Sequence, residues 1–331
     1  MLIEFTVTNF RSIRESQTLS MVASTGTELP DNTVTPDGPA EAVRTAKPVK
    51  LPTLLRSAAI YGPNASGKSN LLGAFRFMHD FVRNSATGRE ATKATGVTPF
   101  LLDQASKTAP SEFEATFIMD GVRYQYGFAL TNVRVEEEWL FAWPRGKSQT
   151  WFRRTYDADR NSYDWETGSK LRGQKTVIQE ATRPNALFVS TGTQLNNEQL
   201  STISEWFYER TFSVDRHTVN NPQDIAEFTL AEYVGQGKVD SVRDFMQAAD
   251  LGIDAVDIDR HTISSADIPD GMPEVFAKAV IGKETTEPIF LHTHADGDVT
   301  ERFTWGMESD GTKAMFGLAG PWLHAVENGT T

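Results

Sequence analysis

One stretch constrains this chain more than any other: Ala58-Ala59-Ile60-Tyr61-Gly62-Pro63-Asn64-Ala65-Ser66-Gly67-Lys68-Ser69-Asn70-Leu71-Leu72. The apolar run Ala58 to Tyr61 predicts a short buried strand. Leu71, Leu72, Phe75, Met78 and Val82 then recur at helical spacing. Between them, Gly62 to Ser69 fits G-x-x-x-x-G-K-[ST] in the strand–loop–helix setting that gives the pattern its meaning. A phosphate chain carries several negative charges and needs many donors at short range. Consecutive N–H groups from Asn64 to Ser69 can form a concave nest, closed by the positive end of the following helix. Gly62 and Gly67 let the backbone turn and approach closely where a Cβ would obstruct it. Lys68 is placed to reach the β- and γ-phosphates, and the Ser69 hydroxyl to ligate Mg²⁺. The expected reading is a nucleotide-binding loop of Gly62, Pro63, Asn64, Ala65, Ser66, Gly67, Lys68, Ser69 and Asn70, in an α/β fold.

Composition narrows the remaining classes. No apolar run approaches the length that crosses a bilayer. The start, Met1-Leu2-Ile3-Glu4-Phe5, lacks a basic region and carries an early acid, so no signal peptide is expected. With no cysteine, disulfides, thiolate metal sites and cysteine nucleophiles are excluded, and the cytoplasm is the expected compartment. A net charge of −12 argues against non-specific coating of nucleic acid, although a local basic groove is compatible with it. The 331 residues suffice for one large domain or two ordinary ones.

Before the loop, Ile3, Phe5 and Val7 alternate with Glu4, Thr6 and Thr8 as in a half-buried strand, and a second short strand is expected over 17–22. The polar, proline-rich stretch 25–52 reads as a long excursion before the strand that leads into the loop. After the loop helix, 97–102 reads as a short strand. An antiparallel meander follows: Phe113, Ala115, Phe117 and Met119 share one face, Asp120-Gly121 turns, and Val122, Tyr124, Tyr126, Phe128 and Leu130 return. Further strands are expected over 133–143, 150–156 and 163–166. Their aromatics Trp139, Phe141, Trp143, Trp151 and Trp165 suit either sheet packing or a base-stacking platform, and packing is the commoner use. A strand is expected at 186–190. Helices follow, around Leu200, Ile203, Trp206 and Phe207, over 225–234 and over 239–249, with Gly252 placed to end the last. Strand character resumes at 253–258, 288–292 and 299–303. His292 and His294 near Asp296 and Asp298 imitate a metal site, but a surface hairpin is the plainer reading. Glu308-Ser309-Asp310-Gly311-Thr312-Lys313 opens a final helix, with Pro321 removing a ladder bond to the Gly317 carbonyl. Ser-x-Gly-Thr there is a good N-cap by itself, and also suits a second phosphate-binding turn.

Three landmarks thus stand in order: Val7-Thr8-Asn9-Phe10-Arg11-Ser12, Gly62 to Ser69, and Glu308 to Lys313. Together they resemble the ATP-binding-cassette-like ATPases of the SMC/RecF/OLD type, and more closely the bacterial AAA-family ATPases of anti-phage and abortive-infection operons. The resemblance covers nearly the whole chain. It implies a P-loop NTPase with an ABC-ATPase-like head, whose N-terminal portion, residues 1–199, holds an antiparallel β lobe over about 97–166. It further implies an inserted helical subdomain over 200–252 and a return to the head over 253–331. It implies ATP and Mg²⁺ as ligands. Asn9, Arg11 and Ser12 would lie beside the nucleotide, with Arg11 near its phosphates, and Ser69 would hold the metal. Ser309, Gly311 and Thr312 would form a signature that meets the γ-phosphate held by another subunit. The implied partners are a second copy, in a homodimer or higher oligomer closed on ATP, and an effector protein. A DNA partner has no support in the sequence, and no membrane partner is expected.

One departure is large. In the resembled family the signature helix leads to an apolar strand ending in Asp-Glu, the Walker B pair, whereas this sequence ends at Glu327-Asn328-Gly329-Thr330-Thr331. No substitute is evident, since 253–259 alternates its acids and Ile289-Phe290-Leu291 is followed by His292-Thr293-His294. The expectation is a chain truncated before Walker B, binding ATP but turning it over weakly or not at all. The alternatives are a non-hydrolytic nucleotide-sensing scaffold and an SMC/RecF-like DNA-maintenance ATPase.

Overall fold

The alternation of Ile3, Phe5 and Val7 builds the first strand, β1 (Leu2–Thr8), with Phe5 and Val7 wholly buried. The computed structural model describes residues 1–26, 29–38, 50–88, 93–211, 222–249, 252–265, 268, 274, 278–279, 281–293 and 300–328. They fall into two compact units, Met1–Thr211 and Phe212–Thr330, each with its own core. In the first unit β1 is followed by β2 (Gln17–Ser20), the two-residue strands β3 (Thr33–Val34) and β4 (Leu54–Leu55), and α1 (Lys68–Asn84). Then come α2 (Gln104–Thr108), β5 (Ser111–Met119), β6 (Val122–Leu130), β7 (Val135–Trp143), β8 (Gln149–Asp157) and β9 (Ser162–Thr167). The unit closes with α3 (Lys175–Ala181), α4 (Phe188–Gln194) and α5 (Glu198–Glu209).

β2, β1 and the meander form a 7-stranded antiparallel sheet in the order β2-β1-β5-β6-β7-β8-β9. The meander registers itself through its turns. Asp120 and Gly121 both have positive φ, at 50° and 74°, which matches the twist of a two-residue hairpin. One sheet face is covered by α1, through Ala74, Met78, Phe81 and Val82, and by α5, through Leu200, Ile203, Trp206 and Phe207. Trp206 lies parallel to Phe117 with ring centroids 4.1 Å apart, and burying a side chain of this size contributes about 2–3 kcal/mol. The excursion returns to the other face, where Leu51 and Leu54 pack on Ile3 and Ile118, and β3 pairs with β4. Its residues 27–28 and 39–49 lie outside the described ones.

The aromatics of the meander serve packing. Trp139 crosses the flat top of Gly127, where a Cβ would sit 2.4 Å from the indole, and donates to Glu114 two strands away (2.7 Å). Trp151 is buried as well.

Three expected strands are absent. Residues 186–190 enter α4 instead, because the carboxylate of Glu138 on β7 accepts the N–H groups of Phe188 (2.7 Å) and Val189 (3.1 Å), two free donors of a helical first turn. Glu138 is itself wholly buried. It takes the Tyr126 hydroxyl (2.9 Å) and lies 3.0 Å from Nε of a wholly buried Arg154, whose guanidinium faces the rings of Tyr163 and Trp165. Burial, and then the Glu138 charge, push the Tyr126 hydroxyl well above its ordinary pKa, so it remains a donor. Residues 97–102 form no ladder: Thr98 accepts the Arg11 N–H (2.9 Å) and Phe100 donates to the Asn9 side chain (3.0 Å), so a corner holds them. Residues 58–61 are exposed and irregular. The sheet order has no slot for them, and among the described residues no neighbouring strand supplies their ladder bonds.

The second unit contains α6 (Pro222–Thr229) continued by a π turn (Leu230–Val234), α7 (Val239–Ala248), strands β10 (Ala255–Thr262), β11 (Glu284–Thr293) and β12 (Thr300–Thr304), and α8 (Asp310–Asn328). The strands form an antiparallel sheet in the order β10-β11-β12. The span 200–252, expected as one helical insertion, is divided, with α5 in the first unit and α6 and α7 in the second. The bond removed by Pro321 is replaced from outside the helix. The Thr229 hydroxyl lies 3.1 Å and 2.9 Å from the carbonyls of Phe316 and Gly317, and accepts the Gly320 N–H (3.1 Å). Gly320 permits this approach, since a Cβ there would stand 2.6 Å from Thr229 Oγ1. The expected turn at His294 to Gly297 lies outside the described residues.

Candidate functional site

The loop from Gly62 runs into α1 without a preceding strand, and its own backbone shapes it. Ala65 (φ 65°) and Gly67 (φ 93°) adopt left-handed conformations, and Gly67 caps α1, its carbonyl accepting from Asn70 (2.9 Å) and Leu71 (3.0 Å). Only glycine takes φ 93° without steric strain. The N–H groups of Lys68 and Ser69 have no protein acceptor among the described residues, as expected at a helix start that offers donors to an anion. A Cβ on Gly62 would sit 2.8 Å from Ser66 Oγ, so the loop closes tightly on itself. The Lys68 ammonium donates to the carbonyls of Gly62 and Pro63, both at 2.8 Å. It lies folded over its own loop, with acceptors that an incoming phosphate can replace.

Beside the loop is a cavity of about 590 Å³, walled by Gly62, Pro63, Ser66, Gly67 and Lys68 on one side and by the turn after β1 on the other. Ser12 belongs to that wall, and Asn70 Nδ2 donates to Ser12 Oγ at 2.6 Å, which leaves the Ser12 hydroxyl hydrogen free to donate. Ile13, Ile60, Tyr61 and Leu71 also line it, as do Arg14, Glu15 and Gln17, which were not singled out from the sequence. A cluster of charged and polar residues in the tight turn following β1 was the available signal. Arg14 is also 3.7 Å from Asp103, whose carboxylate is held below its ordinary pKa by the Ser106 hydroxyl and N–H.

The other expected residues are distributed unevenly. Asn64, Ala65 and Ser69 are exposed on the loop and the start of α1. Arg11 does not wall the cavity. Its guanidinium lies over the Phe10 ring and 3.1 Å from the position of a Cβ on Gly73 in α1. Asn9 is a corner residue, its amide donating to the carbonyls of Ser106 and Ala109. In the second unit, Ser309 and Gly311 are exposed where α8 begins, whereas Thr312 is buried. Thr312 donates its N–H to Ser309 Oγ (3.1 Å), so Ser309 does act as the N-cap. His292 contacts Glu308 and the Gly252 carbonyl, and His294, Asp296 and Asp298 lie outside the described residues.

A magnesium ion keeps most of its water and takes one or two protein oxygens beside substrate phosphates. One hydroxyl, that of Ser69, next to free N–H donors, fits a metal brought in with a nucleotide. Among the described residues no group of three His, Asp or Glu offers a cage.

Residues 57–324 match the family model described as AAA domain, putative AbiEii toxin, Type IV TA system. The chain belongs to this family. As an AAA-domain protein it has the α/β fold of a P-loop ATPase head, and nucleotide binding is the activity of the family. The AAA match begins just before the loop and extends into α8, so it spans both units. Among solved structures the chain is similar to the recombination mediator protein RecF with ATP, at 13% identity, over 100% of this chain and 84% of that one, with a TM-score of 0.26. No curated protein matches the sequence. Among the described residues no helix is long and apolar enough to cross a membrane.

Proposed function

We propose that this chain binds ATP with Mg²⁺ at Gly62 to Asn70, that two copies close on the bound nucleotide, and that this assembly controls an effector in phage defence. One observation carries the reading. Lys68, the Lys68 and Ser69 N–H groups and the Ser12 hydroxyl border one cavity or its loop, and none is committed to a partner that a triphosphate could not replace. Lys68 would exchange two carbonyls for phosphate oxygens, a change from neutral to charged acceptors that strengthens each bond. Ser69 would add a metal ligand, and the metal would neutralise phosphate charge. On this reading the first unit supplies the nucleotide site, and helices α6 and α7 of the second unit meet the effector.

The exposed pair Ser309 and Gly311 would meet the γ-phosphate of the other copy, using the helix start of α8. ATP is then first an assembly ligand. Turnover needs a group that activates water. The acid that walls the cavity, Glu15, is 3.7 Å from Arg14, so slow hydrolysis by this chain is expected. A non-hydrolytic sensing module differs only in releasing no phosphate.

Sedimentation velocity with and without ATP and Mg²⁺ tests the proposal. ATP is expected to convert monomer to dimer, and Lys68→Ala and Ser309→Ala to abolish the conversion. Assembly that persists in Lys68→Ala would reject it. Phosphate release measured on the same samples separates the ATPase from the sensor.

A further inference from the structure

Glu308 stands immediately before the exposed Ser309, yet its own side chain is only 6% exposed. Its Oε1 lies 2.5 Å from Nε2 of His292 on β11. The other ring nitrogen, Nδ1, lies 2.9 Å from the Gly252 carbonyl. A carbonyl oxygen can only accept, so Nδ1 carries a hydrogen. The ring thus bridges the Gly252 carbonyl and the Glu308 carboxylate, one nitrogen to each.

Glu301 is directly opposite His292 on β12, and Asp254, just before β10, accepts the Thr293 N–H at 2.6 Å. The Phe303 ring lies 4.5 Å from the imidazole. The turn itself is fixed internally, by the Thr312 N–H on Ser309 Oγ and the Lys313 N–H on the Ser309 carbonyl. Glu308 supplies its polar attachment to the strands.

We propose that His292 is a positioning residue for the Ser309–Gly311 turn: its ring ties Glu308, and with it the start of α8, to the Gly252 carbonyl just before β10, holding the turn for a second copy's triphosphate. What the turn faces rests on the function proposed above; the tie itself does not.

Hydrogen exchange of the full chain, read over 305–316, tests the tie. His292→Gln and Glu308→Gln are each expected to speed exchange there by about tenfold, the loss of one charge-assisted bond, and the double variant no further. Unchanged exchange in the single variants, or additive effects in the double, would overturn the proposal. His292→Gln should also raise the chain concentration needed for ATP-driven assembly by about tenfold, with binding of a fluorescent ATP analogue unchanged. Unaltered assembly alongside faster exchange would overturn the positioning role. If the natural chain binds the analogue but never assembles, the two-copy reading fails, and the exchange data still decide whether His292 holds Glu308.

Discussion

The meander and the Gly62–Ser69 loop lie in the same unit and are held in opposite ways. Every strand from β5 to β8 has a ladder neighbour on both sides, and its buried face carries aromatics such as Phe113, Phe117, Tyr126, Phe128 and Phe152. The stretch 57–66 is exposed, makes few backbone bonds, and is shaped by left-handed Ala65 and by Gly67 and Lys68 just beyond it. The meander is stabilised by contacts that no ligand can replace. The loop is held by contacts that a ligand can replace. Substitutions in the first should therefore cost stability and spare binding, and those in the second should do the reverse.

The largest effect is expected at Glu138. Removing its carboxylate leaves Arg154 as an unpaired buried charge and takes the acceptor from the first turn of α4. Glu138→Ala should destabilise the first unit by about 3–5 kcal/mol in urea titration. Replacing the pair together, Glu138→Leu with Arg154→Met, should cost far less, and an equal cost would mean that the ion pair is not what matters there. Next comes the second unit's close helix crossing. Gly320→Ala pushes a Cβ against Thr229 and should cost about 1–3 kcal/mol, read by the same titration. A value near zero would show that α6 and α8 can part without penalty.

The elements that were legible in the sequence are those whose partners are near in the chain. Asp120-Gly121 joins two alternating runs, so strands, turn and register all follow from one hairpin, and the loop helix follows from Leu71, Phe75, Met78 and Val82. The misread segments depend on distant residues. The run at 186–190 is apolar enough for a strand, and only the carboxylate of Glu138, some fifty positions earlier, makes its first N–H groups those of a helix. Ala58 to Tyr61 has the composition of a buried strand but lacks a described neighbour to bond with. At the site, the G-x-x-x-x-G-K-S pattern located the loop. It gave no hint that Arg14, Glu15 and Gln17 wall the same cavity, because that depends on where the turn after β1 is carried by the sheet.

A smaller effect is expected with pH. Burial holds His79 below the ordinary imidazole pKa, opposed by its bond to Asp80. As pH falls through the ordinary imidazole range the unfolded chain takes up the proton first, so the first unit loses stability on acidification and regains it above that range. His79→Gln should flatten this slope in urea titrations between pH 5 and 7, and an unchanged slope would assign it to other groups. The smallest stability effect is expected at the loop itself, where Lys68→Ala should change unfolding free energy by less than about 0.5 kcal/mol.

Nucleotide binding by calorimetry, with Mg²⁺ and a non-hydrolysable ATP analogue, tests the central claim most directly. The natural chain should give a saturable isotherm with one site per chain, and Lys68→Ala, equally folded, should weaken it by about a hundredfold. A flat trace from folded natural protein, or an isotherm that Lys68→Ala leaves unchanged, would contradict the assignment of Gly62 to Asn70 as a nucleotide site.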